Sequence, residues 1–192
     1  MAAKQSATEK KIYQLKISLR GITPPIWRRF HVPSDVRLSM LHPILQVVMG
    51  WTNSHMHQFK AGKTYYGETY PDDMDGMPET RDERKTKLEE VVSRPRAKFV
   101  YEYDFGDSWE HEIALEKILP AEAGVKYPLC LAGQRACPPE DCGGVWGYGD
   151  LLDALQDEEH PEREELLEWL GEGFDPEAFH LAQVNAGLRR IR

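Results

Sequence analysis

The segment from Phe99 to Glu116 alternates so regularly that it demands a pair of β-strands. Phe99, Tyr101, Tyr103 and Phe105 share one face before Gly106-Asp107, and Trp109, His111, Ile113 and Leu115 share one face after it. Glu102, Asp104, Glu110, Glu112 and Glu116 take the opposite face. Side chains alternate sides along a strand, so the pattern predicts a hairpin with an aromatic face inward and an acidic face outward. A chain holding such a hairpin must supply neighbouring strands and an apolar layer to cover the aromatic wall. His111 falls on the inward face, where both ring nitrogens need partners. It is either a hydrogen-bonded core histidine or a metal ligand.

The upstream chain supplies both. Tyr13, Leu15, Ile17 and Leu19 alternate with Gln14, Lys16 and Ser18, as in a half-buried strand. After a turn over 21–25, Ile26, Phe30 and Val32 share a face with Arg28, which predicts a second, antiparallel strand. Ser39 is placed to cap a helix through Leu41, Ile44, Leu45, Val47 and Val48, with Pro43 in its first turn and a stop at Gly50. An extended stretch then puts His55, His57 and Phe59 on one face, and two histidines at that spacing can clasp a metal. The acidic, Pro- and Gly-bearing stretch from Glu68 to Arg84 is expected to be a long mobile loop, and Thr86-Lys87-Leu88-Glu89 has capping-box spacing for a short helix to Val92.

Past residue 144 the apolar spacing turns helical. Leu151, Leu152 and Leu155 form one group, and Leu166, Leu167, Trp169 and Leu170 form a second after Pro161. A third helix through Phe179, Leu181, Val184 and Leu188 follows the start signal Asp175-Pro176-Glu177. The expected class is α+β: an antiparallel sheet with a packed helix and a helical C-terminal third. With 192 residues, 41% of them hydrophobic and 29% charged, the chain suits one domain over 11–192 behind a polar, disordered tail over 1–10. No apolar run approaches the roughly 20 residues that cross a bilayer, and the first residues lack the apolar stretch of a secretory signal. A cytoplasmic location without membrane partners is expected.

Charge is uneven. Residues 1–37 carry eight Lys/Arg against two acids, whereas Asp150 to Glu177 holds twelve acids and only Arg163. The two regions either compensate one another or leave a basic face for phosphates.

All three cysteines, Cys130, Cys137 and Cys142, fall in one Gly- and Pro-rich stretch that reads as a loop without regular strand or helix. Their C-x6-C-x4-C spacing is not that of zinc ribbons, and a tetrahedral zinc would need a fourth ligand: His111 first, then His57, Asp141 or water. Three free thiols are the alternative. Acidic groups gather nearby (Asp104, Asp107, Glu110, Glu112, Glu140 and Asp141), but strand parity sets Asp104, Glu110 and Glu112 opposite to Asp107 and His111, which speaks against a carboxylate-rich centre. Asp104-Phe105-Gly106 spells the kinase triplet without a catalytic loop or Gly-rich loop, and no G-x-x-x-x-G-K-[ST], G-x-S-x-G or H-E-x-x-H is present.

Tyr101-Glu102-Tyr103-Asp104-Phe105-Gly106-Asp107-Ser108-Trp109-Glu110-His111-Glu112-Ile113, followed by Pro138-Pro139-Glu140-Asp141-Cys142-Gly143-Gly144 and Gly147-Tyr148, resembles the plasmid pRiA4b ORF-3-like family. Pro25-Ile26-Trp27-Arg28-Arg29, Met49-Gly50-Trp51, His55-Met56-His57-Gln58-Phe59 and Phe174-Asp175-Pro176 match in the same order, over about residues 11–190. The resemblance implies a compact α+β domain found mainly in prokaryotes and their mobile elements, with no established activity. Some relatives are labelled transposon resolvases. A serine recombinase needs several arginines around the attacked phosphate, and Tyr13 to Ser18 followed by acidic C-terminal helices does not provide them.

Three functional readings follow. The first is a binding or adaptor domain for a protein or small-molecule partner, its cysteine loop fixed by zinc or by packing. Its surface is a groove between hairpin and loop with Tyr103, Trp109, Trp146 and Tyr148 as stacking groups and Asp104 and Asp107 beside them. The second is a metal-dependent hydrolase or nuclease using His55, His57, His111, Asp104 and Asp107. The third is nucleic-acid binding through Arg20, Arg28, Arg29 and Arg37.

Overall fold

The computed structural model describes residues 10–69, 80–171 and 173–191. Eight strands form one sheet: β1 (Lys11–Leu19), β2 (Trp27–Pro33), β3 (His57–Ala61), β4 (Thr64–Gly67), β5 (Thr80–Asp82), β6 (Lys98–Tyr103), β7 (Trp109–Pro120) and β8 (Leu129–Gln134). Their order is β5-β4-β3-β6-β7-β1-β2-β8, antiparallel except for the β4–β5 pair. The helices are α1 (Leu38–Met49), α2 (Leu88–Val91), α3 (Gly144–Gln156), α4 (Arg163–Leu170) and α5 (Leu181–Leu188).

The β6–β7 hairpin pairs Tyr101 with His111 and Tyr103 with Trp109, and these four side chains are fully buried. Phe59, Leu15, Ile17, Phe30 and Val32 extend the same inner face across β3, β1 and β2, and Leu41, Leu45 and Val48 of α1 join them in one core. Arg28 shares that inner face. The residue is 2% exposed, and its guanidinium donates to the carbonyls of Val48, Met49, Trp27 and Gln134, tying the end of α1 to two strands. The Phe179 ring lies 4.5 Å from the guanidinium carbon and screens it further. The outward acids of β7 meet cations at the surface, Glu110 with Arg20 and Glu116 with Arg29.

Several local expectations give way to tertiary partners. The N-cap of α1 is Arg37, not Ser39, and no side chain caps it. The free N–H groups of Leu38 and Ser39 instead donate to the carbonyls of Thr86 and Glu83, so a neighbouring segment supplies the cap. Pro43 stands at the sixth helical position, beyond the first turn, and Gly50 closes the helix in the left-handed region as expected. Thr86 gives its hydroxyl to the Asp82 carbonyl and does not cap α2. Asp175-Pro176-Glu177 makes a single turn, with the Glu177 N–H on Asp175 Oδ1 at 2.9 Å, and α5 begins only after His180.

The C-terminal third is not mainly helical. It begins with β8, and α4 and α5 span only eight residues each. Cys130 therefore lies on a strand and not in an irregular loop. This strand has one sheet partner, β2, and Asn185 of α5 occupies the other side by bonding both the N–H and the carbonyl of Cys130 at 2.9 Å. Gly133 permits the close approach there: a Cβ on it would stand 2.6 Å from Arg28 Cδ and 2.7 Å from the Phe179 ring. The tail expected over 1–10 lies outside the described residues except for Lys10, and the loop expected from Glu68 to Arg84 is outside them over 70–79. Its far end is β5. Among the described residues no helix is long and apolar enough to cross a membrane.

Candidate functional site

The ends of β3 and β6 lie side by side, because His57 pairs with Tyr103. His55 thus sits beside the residue that follows Tyr103, and the Asp104 N–H donates to the Met56 carbonyl at 2.9 Å. Strand parity would send the Asp104 side chain outward. The strand stops at Tyr103, however, and Asp104 adopts φ 57°, which turns its carboxylate back over His55. This overturns the parity argument against a carboxylate centre for Asp104, while Glu110 and Glu112 do face outward to Arg20 and Lys98.

The loop after β8 brings Glu140 and Asp141 to the same place. His55 Nε2 lies 3.7 Å from Asp104 Oδ2, 3.8 Å from Glu140 Oε2 and 3.2 Å from Asp141 Oδ1. It is aligned for a hydrogen bond with none of the three, and both His55 Nε2 and Glu140 Oε2 are buried without a partner. Among the described residues His55, Asp104 and Asp141 are the only three potential ligand side chains whose donor atoms all lie within 4.8 Å of one another; Glu140 stands at the edge of this group, and no cysteine belongs to it.

The remaining oxygens are held from outside. Glu140 Oε1 accepts the Thr52 N–H at 2.7 Å, the Thr52 hydroxyl at 2.8 Å and the Tyr103 hydroxyl at 3.1 Å. Burial, more than the adjacent Glu140, pushes the Tyr103 phenol up to about 12, so it stays a donor. Asp104 Oδ1 accepts the Gly106 and Asp107 N–H groups. Asp104 and Glu140 each have one oxygen held by hydrogen bonds and the other turned toward the imidazole, the arrangement by which outer partners orient metal ligands, while Asp141 is largely exposed. Among the described residues, four of the six non-glycine positions with positive φ, namely Asn53, Asp104, Ser108 and Asp141, belong to the cluster or its adjoining turns, and such backbone persists only where contacts impose it. Ligand atoms about 2.0–2.2 Å from one ion stand about 3–3.5 Å apart, close to the spacing here.

The other expected site residues are placed elsewhere. His111 is fully buried: its Nε2 accepts the Trp51 indole N–H at 3.1 Å, and its Nδ1 donates to the Tyr101 carbonyl at 3.2 Å. Both nitrogens are thereby engaged within the core. Cys130 points its thiol at the Arg29 and Ala132 carbonyls, Cys137 sits beside Gly50, and Cys142 is half-buried before α3. His57 faces the buried Glu83 at 2.9 Å and stacks on His42, ring centroids 3.5 Å apart. Asp107 accepts the Gly143 N–H at 3.1 Å.

Hairpin and loop meet closely at Gly144, where a Cβ would lie 2.6 Å from the Asp107 carbonyl oxygen. Tyr103, Trp109 and Tyr148 are core residues, and of the four expected stacking groups only Trp146 is exposed, at 87%. The reasoning from sequence missed Glu140 and Asp141 as partners of His55. The one available signal was that both family segments, 55–59 and 138–144, are polar stretches flanked by turn residues.

The profile of the plasmid pRiA4b ORF-3-like proteins matches residues 11–183. The chain belongs to the plasmid pRiA4b ORF-3-like family. This family member is 40% identical over 178 residues to the uncharacterised protein y4hQ of Sinorhizobium fredii, covering 92% of this chain and 90% of that one. It is also similar to the crystal structure of MM3350, a protein of unknown function from Methanosarcina mazei, with a TM-score of 0.80 and 43% identity over 91% of this chain and 98% of that one. These relatives share the fold and carry no stated activity.

Proposed function

We propose that this pRiA4b ORF-3-like protein is a metal-dependent hydrolase whose divalent ion is held by His55, Asp104, Glu140 and Asp141. The observation that supports the reading is the pair of buried atoms without partners, His55 Nε2 and Glu140 Oε2, 3.8 Å apart, with the other Glu140 oxygen held by Thr52 and Tyr103. A buried carboxylate oxygen without a donor is costly, and a cation removes that cost. One imidazole with three carboxylates suits zinc, manganese or iron better than calcium or magnesium, which favour oxygen alone. Asp141 is 70% exposed at its side chain, so the ion faces solvent on that side and keeps a position for water. Such an ion would lower the pKa of a bound water and so supply a hydroxide nucleophile for hydrolysis, with a carboxylate of the set placed to take up the proton.

The test is metal-linked stability in protein stripped by chelator and reloaded with manganese or zinc. At a hundredfold excess over Kd the ion adds about 2.7 kcal/mol, which for a chain this long raises Tm by about 5–10 °C. Glu140→Gln retains the acceptor for Thr52 and Tyr103 but loses the anionic ligand, and it is expected to abolish most of that shift. Wild-type protein with no metal-dependent shift and no stoichiometric metal would overturn the proposal.

A further inference from the structure

Resting on that metal centre, we infer that its substrate is an aminoacyl ester or amide with a free amino group and an apolar side chain, and not a phosphodiester. The first ground is charge. Asp104, Glu140 and Asp141 against a divalent ion leave one negative charge, and Asp107, on the same turn as Asp104, adds a second. Among the described residues, no lysine or arginine forms an ion pair or hydrogen bond with any of these four carboxylates. Arg20 pairs instead with Glu110 and Glu112, Lys98 with Glu112 and Arg135 with Glu177, while Arg28 donates to main-chain carbonyls. A phosphoryl-transfer site needs positive groups on the non-bridging oxygens, and this mouth has the opposite sign. It attracts an ammonium group.

The second ground is the rim. Met56, next to His55, is 62% exposed, Phe105, next to Asp104, is 44% exposed, and Trp146 on the first turn of α3 is 87% exposed. They are three of the six exposed large hydrophobic residues among those described, and each lies on a segment that builds or abuts the centre. Gly143 binds Asp107, so the start of α3 and the turn 104–108 form one wall. Trp146 and Phe105 would offer an apolar group a surface and Asp107 a partner for its ammonium, with an adjacent carbonyl then presented to the ion. There the metal-bound hydroxide adds to the carbonyl carbon, the C–N or C–O bond breaks, and the amine or alcohol leaves with the proton.

The experiment uses the full chain loaded with manganese or zinc, its metal uptake measured first by calorimetry. Leucine p-nitroanilide, its N-acetyl form, and bis(p-nitrophenyl) phosphate are then compared. The free amine is expected to be hydrolysed with the highest kcat/KM. Asp107→Asn should raise its KM about three- to fivefold at constant kcat, and Trp146→Ala about two- to fivefold. Faster turnover of the phosphodiester, equal turnover of the N-acetyl form, or no anilide hydrolysis by protein with stoichiometric metal would overturn the substrate assignment alone. Failure to take up metal would overturn both this inference and the centre on which it rests.

Discussion

Acid should unfold this protein in the range where its carboxylates are still ionised, because two core histidines cannot take up protons. His111 is fully buried, and desolvation pushes its pKa down to about 4 even though the Tyr101 carbonyl favours the charged form. Burial, reinforced by the stacked His57, pushes His42 down to about 4 as well. His42 keeps one nitrogen on Asn53 and the other 2.8 Å from the Tyr101 hydroxyl, partners that suit a neutral ring. Both start from 6.5 in the unfolded chain. Above that pH the stability is complete; as pH falls from 6.5 toward 4 the unfolded chain binds two protons that the folded one refuses. The slope is then about 2.7 kcal/mol per pH unit, and the loss between pH 7 and pH 5 is about 4 kcal/mol. Against a typical total of about 5–15 kcal/mol this is a large share. Glu116, whose pKa is lowered by its hydrogen bond to Arg29, and Asp82, lowered by the Arg84 N–H, act only below this window. Urea unfolding followed by tryptophan fluorescence, with chelator present to remove metal linkage, measures the difference. His111→Gln can still accept from Trp51 and donate to Tyr101, yet does not titrate, so the loss between pH 7 and pH 5 should fall to about 2 kcal/mol. Equal wild-type stability at the two pH values, or an unchanged pH dependence in His111→Gln, would refute the reasoning.

Two further outcomes follow from buried groups. Arg28→Met removes donors from four carbonyls, two of them fully buried, at the junction of α1, β2 and β8, and chemical denaturation should show a loss of about 3–5 kcal/mol; less than 1 kcal/mol would mean that water replaces the guanidinium. Burial raises all three thiols, Cys130 to about 11, Cys142 to about 12 and Cys137 well above its usual value, so Ellman's reagent at pH 8 should modify none of them in the folded protein and all three in guanidinium.

The elements legible from sequence are those whose pattern is local. The β6–β7 hairpin follows from period-two alternation over many residues, and the end of α1 at Gly50 from a left-handed position that glycine adopts freely. Starts and edges were less legible, because their backbone groups find partners far along the chain. Segment 83–86 caps α1, Asn185 covers β8, and neither partner has a signature beside the element it serves.

For the candidate site the division is sharper. The sequence by itself determined that the chain belongs to this family, that aromatic residues wall the hairpin's inner face, and that His55, Asp104, Glu140 and Asp141 are present as potential ligands. Periodicity then argued against their meeting, since it assigns each side chain to a face only while the strand continues. Tertiary structure decided otherwise at Asp104, where the strand ends and a positive φ reverses the side chain. It also took His111 out of the site by giving both of its nitrogens to the core, and it turned Glu140 inward by fixing one oxygen on Thr52 and Tyr103. A ligand set drawn from three loop ends depends on how those ends are oriented by residues 37 to 88 positions away, and nothing local in the sequence encodes that orientation.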